Sequence, residues 1–185
     1  IGLSSFSKIL APGLRLGCMT LPNQIEPNAK KRIRDKAAEM KGRGTLTTAA
    51  FNQAVVAEFI EKKVFESHIP RIIGSYGPRG EAMEKLIEEF FPKVFQFTSP
   101  EGGMFLWGEL KDEFKYLARQ LDMGQINKEL VEKYKVDFTD GKFFYANPRN
   151  AKPAMRFNFV RWPIDKMEPA IKIIGETLTQ RLQTA

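Results

Sequence analysis

Residues 4–17 read SSFSKILAPGLRLG. One lysine, Lys8, stands in a serine-containing turn, and one arginine, Arg15, follows seven residues later, after Pro12-Gly13. An ammonium is protonated and strongly hydrated at neutral pH. It becomes a nucleophile where desolvation and neighbouring positive charge lower its pKa. Imine formation with an aldehyde cofactor is one use of such a lysine. A guanidinium suits a phosphate, because its planar fork donates two parallel hydrogen bonds. Serine hydroxyls and turn amides add donors, and Pro-Gly bends the chain sharply so that backbone can approach a ligand. Ser5, Ser7, Lys8 and Arg15 therefore compose an imine-forming lysine beside a phosphate cradle, and pyridoxal phosphate has both an aldehyde and a phosphate. A surface loop with two solvated cations satisfies the same residues, and composition leaves both readings open.

The remaining composition narrows the classes. The chain has 185 residues, of which 43% are hydrophobic, enough for a core in an ordinary soluble protein. No apolar run approaches the roughly 18–20 residues needed to span a bilayer. The start lacks a charged leader and an initiator Met, so the expectation is a cytoplasmic chain that begins inside a longer protein, with no signal peptide. Cys18 is the single cysteine, which excludes a disulfide framework within one chain and reads as a small buried residue in a reducing compartment. His68 is the single histidine, which argues against a histidine metal cluster and reads as structural or solvated. The formal charge of +7 invites a nucleic-acid reading. However, the densest basic group, residues 28–43, interleaves Asp35 and Glu39 at helical spacing and reads as a solvated helix face.

Pro22 and Pro27 mark a connection, followed by a helix expected from Asn28 to Gly42. Thr47 and Thr48 offer caps for a helix over 48–66, with Phe51, Val55 and Phe59 on one face. Pro70 opens a further helical stretch that Gly77-Pro78 interrupts; it resumes with Met83, Leu86, Ile87 and Phe90 as a core stripe. KVFQFT, SPEGG and MFLWGEL read as a β-hairpin with a glycine-containing loop. A helix follows over 124–134, then alternation around Asp140-Gly141. PAMRFNFV is the clearest strand, with Met155, Phe157 and Phe159 on one face and Arg156 and Asn158 on the other. The last helix, over 165–182, turns Met167, Ile171, Ile174, Leu178 and Leu182 inward. The first part is expected to be mostly helical, without a strand ladder, and residues 1–70 to be unable to bury their apolar faces alone.

SFSKILAPGLRLG resembles the lysine signature of class I/II aminotransferases of the fold type I pyridoxal-phosphate superfamily, in spelling nearest the 2-aminoadipate, aromatic and branched-chain subgroup. The resemblance continues in order through TTAAFNQAVVAEFI, YGPRGEAMEKLIEEFFP, SPEGGMFLWGEL and VDFTDGKFFY to MRFNFV. It implies an α/β chain forming the C-terminal part of that fold. Residues 1–75 would close the large cofactor-binding domain with its linking helix, and residues 76–185 would form a small α+β domain. It implies Lys8 as Schiff-base lysine and proton shuttle, Ser5 and Arg15 as phosphate ligands with Ser7 a weaker candidate, and Arg156 as the clamp on the substrate α-carboxylate. It further implies pyridoxal 5'-phosphate as cofactor, amino acid and 2-oxo acid substrates, a homodimer, and transamination by a longer chain rather than by this one alone. The same fold also stands behind DNA-binding domains in cofactor-sensing regulators, the alternative reading. Two departures stand out: Asp140-Gly141 replaces the usual Pro-Gly and is expected to loosen its loop, and Gly77-Pro78 is expected to kink or break a helix that is usually continuous.

Overall fold

The segments on either side of the lysine turn pair with each other. In the computed structural model, which describes residues 1–183, β1 (Gly2–Ser5) and β2 (Gly17–Thr20) run antiparallel, with Gly2 opposite Thr20 and Ser5 opposite Gly17. The expected absence of a ladder in the first part is thereby corrected. Four-residue strands rich in Gly and Ser carry no alternation to read; the pairing follows from the loop bringing its two ends together. Cys18 is also corrected. It lies exposed on β2, because neither face of this ribbon is covered among the described residues.

The helix α1 (Pro27–Thr45) starts at a proline in the first helical position and runs past Gly42 to Leu46, which ends it at φ +58°. No residue of α1 is buried, and its mixed charges pair along the surface, Glu39 with both Lys36 at 2.9 Å and Arg43 at 2.6 Å. Its N-cap is Glu26, whose carboxylate accepts from the amides of Asn28 and Ala29, each at 2.9 Å. Those two backbone bonds hold the Glu26 carboxyl below its ordinary pKa. A depressed folded-state pKa stabilises the cap above the unfolded value, and the contribution is lost as pH falls through the folded value. Acidification is therefore expected to fray the first turn of α1, read as faster amide exchange at Asn28 and Ala29, and Glu26→Gln should remove the pH dependence.

The next helix, α2 (Ala50–Glu61), is shorter than expected and is capped by Ala49 without a side-chain bond, not by Thr47 or Thr48. A turn at Lys62-Lys63 separates it from α3, with Lys63 at φ +54°. Its buried position is Val56, while Phe51 is 77% exposed, so the expected Phe51/Val55/Phe59 face is rotated. Val56 is the one fully buried apolar side chain among residues 1–72, as expected of a segment with too little apolar partner of its own.

The helix α3 (Val64–Phe90) is continuous through Pro70 and through Gly77-Pro78, correcting the expected break. An interior proline costs about 3 kcal/mol. Pro70 and Pro78 together cost about 6 kcal/mol, and burying Met83 and Ile87 on this helix returns about 3–6 kcal/mol together, so packing offsets most of the local penalty.

The chain divides into two compact units, Ile1–Ile72 and Ile73–Ala185. The second holds a four-stranded antiparallel sheet of β3 (Phe95–Thr98), β4 (Phe105–Leu110), β5 (Thr139–Asp140) and β6 (Ala154–Asn158), in the order β3-β4-β6-β5. The expected hairpin is β3–β4, turning near Gly103, whose φ of +84° suits glycine. Two further helices, α4 (Met123–Tyr134) and α5 (Ile164–Gln183), join α3 in one core with Leu106, Leu110, Met155 and Phe157 of the sheet. Met167, Ile171, Ile174 and Leu178 are buried as the periodicity predicts. The segment around Asp140-Gly141 makes only two residues of strand before a 3-10 turn at Gly141–Phe144. At Gly175 a Cβ would collide with the carbonyl of Phe90. Gly175→Ala is expected to cost about 1–3 kcal/mol, measured as a lower midpoint of urea unfolding. Among the described residues, no helix is long and apolar enough to cross a membrane.

Candidate functional site

The lysine loop, residues 6–16, is closed by its own backbone. The amide of Phe6 donates to the Leu16 carbonyl at 3.0 Å, and the Phe6 carbonyl accepts from Leu10 at 2.9 Å and Ala11 at 3.2 Å. Ser5 and Ser7 come together at the start of the loop: their hydroxyls lie 3.0 Å apart, and the Ser7 amide donates to Ser5 Oγ at 3.2 Å. Lys8 follows in the same turn, exposed. Pro12–Leu14 form a 3-10 turn that ends at Arg15, at φ +48° and ψ +41°. Left-handed backbone at a non-glycine residue costs about 1–2 kcal/mol and concentrates at ligand sites. Because Ser5 pairs with Gly17, the outgoing arm with Ser5, Ser7 and Lys8 and the returning arm with Arg15 belong to one loop.

The electrostatics of this loop are one-sided. Residues 1–25 contain no Asp or Glu, and Lys8 and Arg15 are their only cationic side chains. Neither takes part in an ion pair among the described residues. Two hydroxyls, an ammonium and a guanidinium without a neutralising carboxylate form a donor set that fits a phosphate.

Two side chains that sequence reasoning missed reach into this loop. Asn52 of α2 donates from Nδ2 to the Leu14 carbonyl at 2.9 Å. His68 of α3 places Nε2 2.9 Å from the Ile9 carbonyl, which gives it the donor role there. The Phe65 ring stacks near Phe6 at 6.0 Å and near His68 at 6.5 Å. His68 was read as structural or solvated, and no local spacing ties residues 52 and 68 to residues 9 and 14.

The second unit contains the other expected residue. Arg156 stands on β6 opposite Trp107 of β4 and Thr139 of β5. Its sheet face is the one expected: Met155 and Phe157 are buried and Arg156 is half-buried. Its guanidinium carbon lies 4.0 Å from the centre of the Phe105 ring and 4.5 Å from that of Phe144. Phe144 in turn meets Trp107 edge-on at 5.6 Å. A guanidinium between two rings presents its in-plane N–H edge, which is the edge a carboxylate takes. Its Nε is buried and without a hydrogen-bond partner among the described residues. An orphaned donor of this kind costs about 1–3 kcal/mol, and the two cation–π contacts offset that cost. A cavity of about 310 Å³ adjoins Arg156, with Asn158, Arg161 and Lys166 also in its wall.

Asp140, only 5% exposed, corrects the expectation of a looser loop. Its carboxylate accepts from the Lys142 amide at 2.9 Å and pairs with Lys142 Nζ at 3.0 Å. Proline restricts a turn through φ; here a capped and ion-paired aspartate restrains the segment that carries Phe144. Among the described residues, no three His, Cys, Asp or Glu side chains gather as a metal site.

The profile of the family "Aminotransferase class I and II" matches residues 1–174. The chain is 34% identical to aromatic-amino-acid aminotransferase 1 of Thermococcus litoralis over 99% of its own length and 40% of that protein. Its fold matches the kynurenine aminotransferase of Pyrococcus horikoshii, solved with PMP, at a TM-score of 0.79 and 35% identity, over 97% of this chain and 40% of that one. An uncharacterised HTH-type transcriptional regulator of Escherichia coli is 28% identical over 97% of the chain and 34% of its own length. The chain thus spans about 40% of the length of the aminotransferases it matches. The profile covers nearly the whole chain, and this chain, with its lysine–serine–arginine loop at one end and its stacked strand arginine near the other, belongs to the class I and II aminotransferases.

Proposed function

We propose that the protein carrying this chain transfers an amino group from an amino acid to a 2-oxo acid with pyridoxal 5'-phosphate as cofactor. The observation that carries this reading is the lysine loop, whose Ser5, Ser7, Lys8 and Arg15 are all donors and meet no carboxylate. The Ser5 and Ser7 hydroxyls and the Arg15 guanidinium would hold the phosphate, and Lys8 the aldehyde. When bound, the cofactor supplies an electron sink for the substrate α-carbon. Lys8 Nζ would accept the α-proton and later return one. Arg156 takes the α-carboxylate in its in-plane fork, so that the α-carbon is oriented before the proton moves.

The identities to an aromatic-amino-acid and a kynurenine aminotransferase support an aromatic amino donor, and 2-oxoglutarate is the acceptor proposed. A homodimer in the cytoplasm is the assembly and compartment that accompany this reading. The match to HTH-type regulators supports a second reading, a cofactor-responsive sensor domain. A winged helix-turn-helix preceding the chain would favour it.

The test uses the full-length gene product with pyridoxal phosphate, an aromatic amino acid and 2-oxoglutarate. The expected products are glutamate and the aromatic 2-oxo acid. Absence of amino transfer across a panel of amino acids would overturn the enzymatic reading.

A further inference from the structure

We infer that His68 and Asn52 are positioning residues that lock two peptide planes within the reactive loop; this rests on the reading of Lys8 and Arg15 as cofactor ligands. A peptide unit is planar, so its N–H and C=O point in opposite directions from one rigid plate. Holding both poles of that plate fixes its tilt. The plate joining Ile9 to Leu10 is the second peptide unit after Lys8. Its N–H donates to the Phe6 carbonyl at 2.9 Å, and its C=O accepts from His68 at 2.9 Å. The plate joining Leu14 to Arg15 has the same arrangement: its N–H donates to the Pro12 carbonyl at 3.3 Å, and its C=O accepts from Asn52 at 2.9 Å.

In each case the inner pole is held by the loop's own backbone and the outer pole by a helix side chain. The second plate matters most for Arg15. Rotation about its N–Cα bond starts from that plane and reaches φ +48°, a conformation that backbone alone does not favour. The first plate sets where the chain goes after Lys8. Without the two side chains, the loop retains its internal turns and the Phe6–Phe65 contact but loses its side-chain hydrogen bonds to α2 and α3. Phe65, one turn before His68 on the same helix face, packs on Phe6 at 6.0 Å and so aligns the turn that His68 secures.

The chemistry asked of each side chain is narrow. Both serve as N–H donors to a carbonyl, so charge is not required. Imidazole donates from Nε2 in its neutral Nε2–H form and in its protonated form. A glutamine at 68 can present an N–H donor in place of Nε2. A leucine fills similar space without one. At position 52 an aspartate places an acceptor against the Leu14 carbonyl and breaks the contact while keeping the size.

The experiment reads cofactor capture directly. Full-length protein is incubated with limiting pyridoxal phosphate and reduced with borohydride, and the pyridoxyl mass on Lys8 is quantified; the cofactor Kd and kcat are measured alongside. Wild type is expected to carry the label on Lys8. Asn52→Asp is expected to raise the cofactor Kd about ten-fold through loosened placement of Arg15. His68→Leu is expected to lower the capture rate and kcat about ten-fold, with KM for the amino acid changed far less. His68→Gln is expected to recover both. Urea midpoints of His68→Gln and His68→Leu are compared, and the position 52 variant gives an independent reading if position 68 proves intolerant. Wild type without label on Lys8 overturns the assignment of the lysine itself. Label on Lys8 with equal capture, Kd and kcat in all variants overturns the tethers and leaves the lysine assignment standing.

Discussion

Lys8→Ala in the full-length gene product is expected to reduce transamination by about 10⁴-fold. A positioned acid–base group contributes about 10²–10⁴-fold, and the covalent role of the same amine adds to that. The phosphate donors Ser5, Ser7 and Arg15 remain, so cofactor is expected to bind still, without the absorbance band of its bond to Lys8. The informative companion is Lys8→Arg. It keeps a cation at the same place in a loop that has no acidic neighbour. However, a guanidinium is not deprotonated in a protein, so it neither attacks an aldehyde nor accepts an α-proton. Loss in both variants means that Lys8 acts through its free amine. Activity retained in Lys8→Arg would reduce its role to electrostatics, and activity retained in Lys8→Ala would remove the assignment.

Arg156→Gln is expected to lower kcat/KM for amino acids by about 10²–10⁴-fold. Hydrogen bonds to charged groups are worth about 1.5–3 kcal/mol, and a bidentate pair supplies two; each 1.36 kcal/mol is ten-fold in rate. Cofactor capture at Lys8 should not change, because nothing in this assignment involves the cofactor. Arg156→Lys should fall between wild type and Arg156→Gln. It restores the charge but neither the fork nor the planar face that sits 4.0 Å and 4.5 Å from the Phe105 and Phe144 rings. An amine substrate without a carboxylate should respond weakly to either substitution. Unchanged kcat/KM in Arg156→Gln would show that the α-carboxylate is held elsewhere.

The particular residues explain what was legible beforehand. The lysine signature could be read because its chemistry is local: Ser5, Ser7, Lys8 and Arg15 fall within eleven consecutive residues, and a turn brings such neighbours together without help from the fold. The strand carrying Arg156 and the helix carrying Met167 to Leu178 were legible for a different reason. Each has one buried face in a single core, and burial writes the period of the backbone into the residue pattern.

The misreadings fall where that link between burial and pattern is absent or overridden. Cys18 and the β1–β2 ribbon lie in a unit with one fully buried apolar side chain, so no face imposes a period there. Pro70 and Pro78 look like helix breakers because their cost is local, whereas the compensating burial of Met83 and Ile87 is tertiary. Asp140 looks like a weaker turn former than proline until its carboxylate is seen capping Lys142 and pairing with its amine.

The sequence by itself therefore determined the donor groups of the lysine loop and their order, the family and the periodic elements of the second unit, because these depend on neighbours in the chain or on a repeating buried face. Tertiary structure alone decided how those groups are held. His68 is 59 residues from Ile9, Asn52 is 38 from Leu14, and Phe105 and Phe144 reach Arg156 from other segments. Contacts at such separations carry no local pattern, and only the folded backbone brings them within hydrogen-bonding or stacking range.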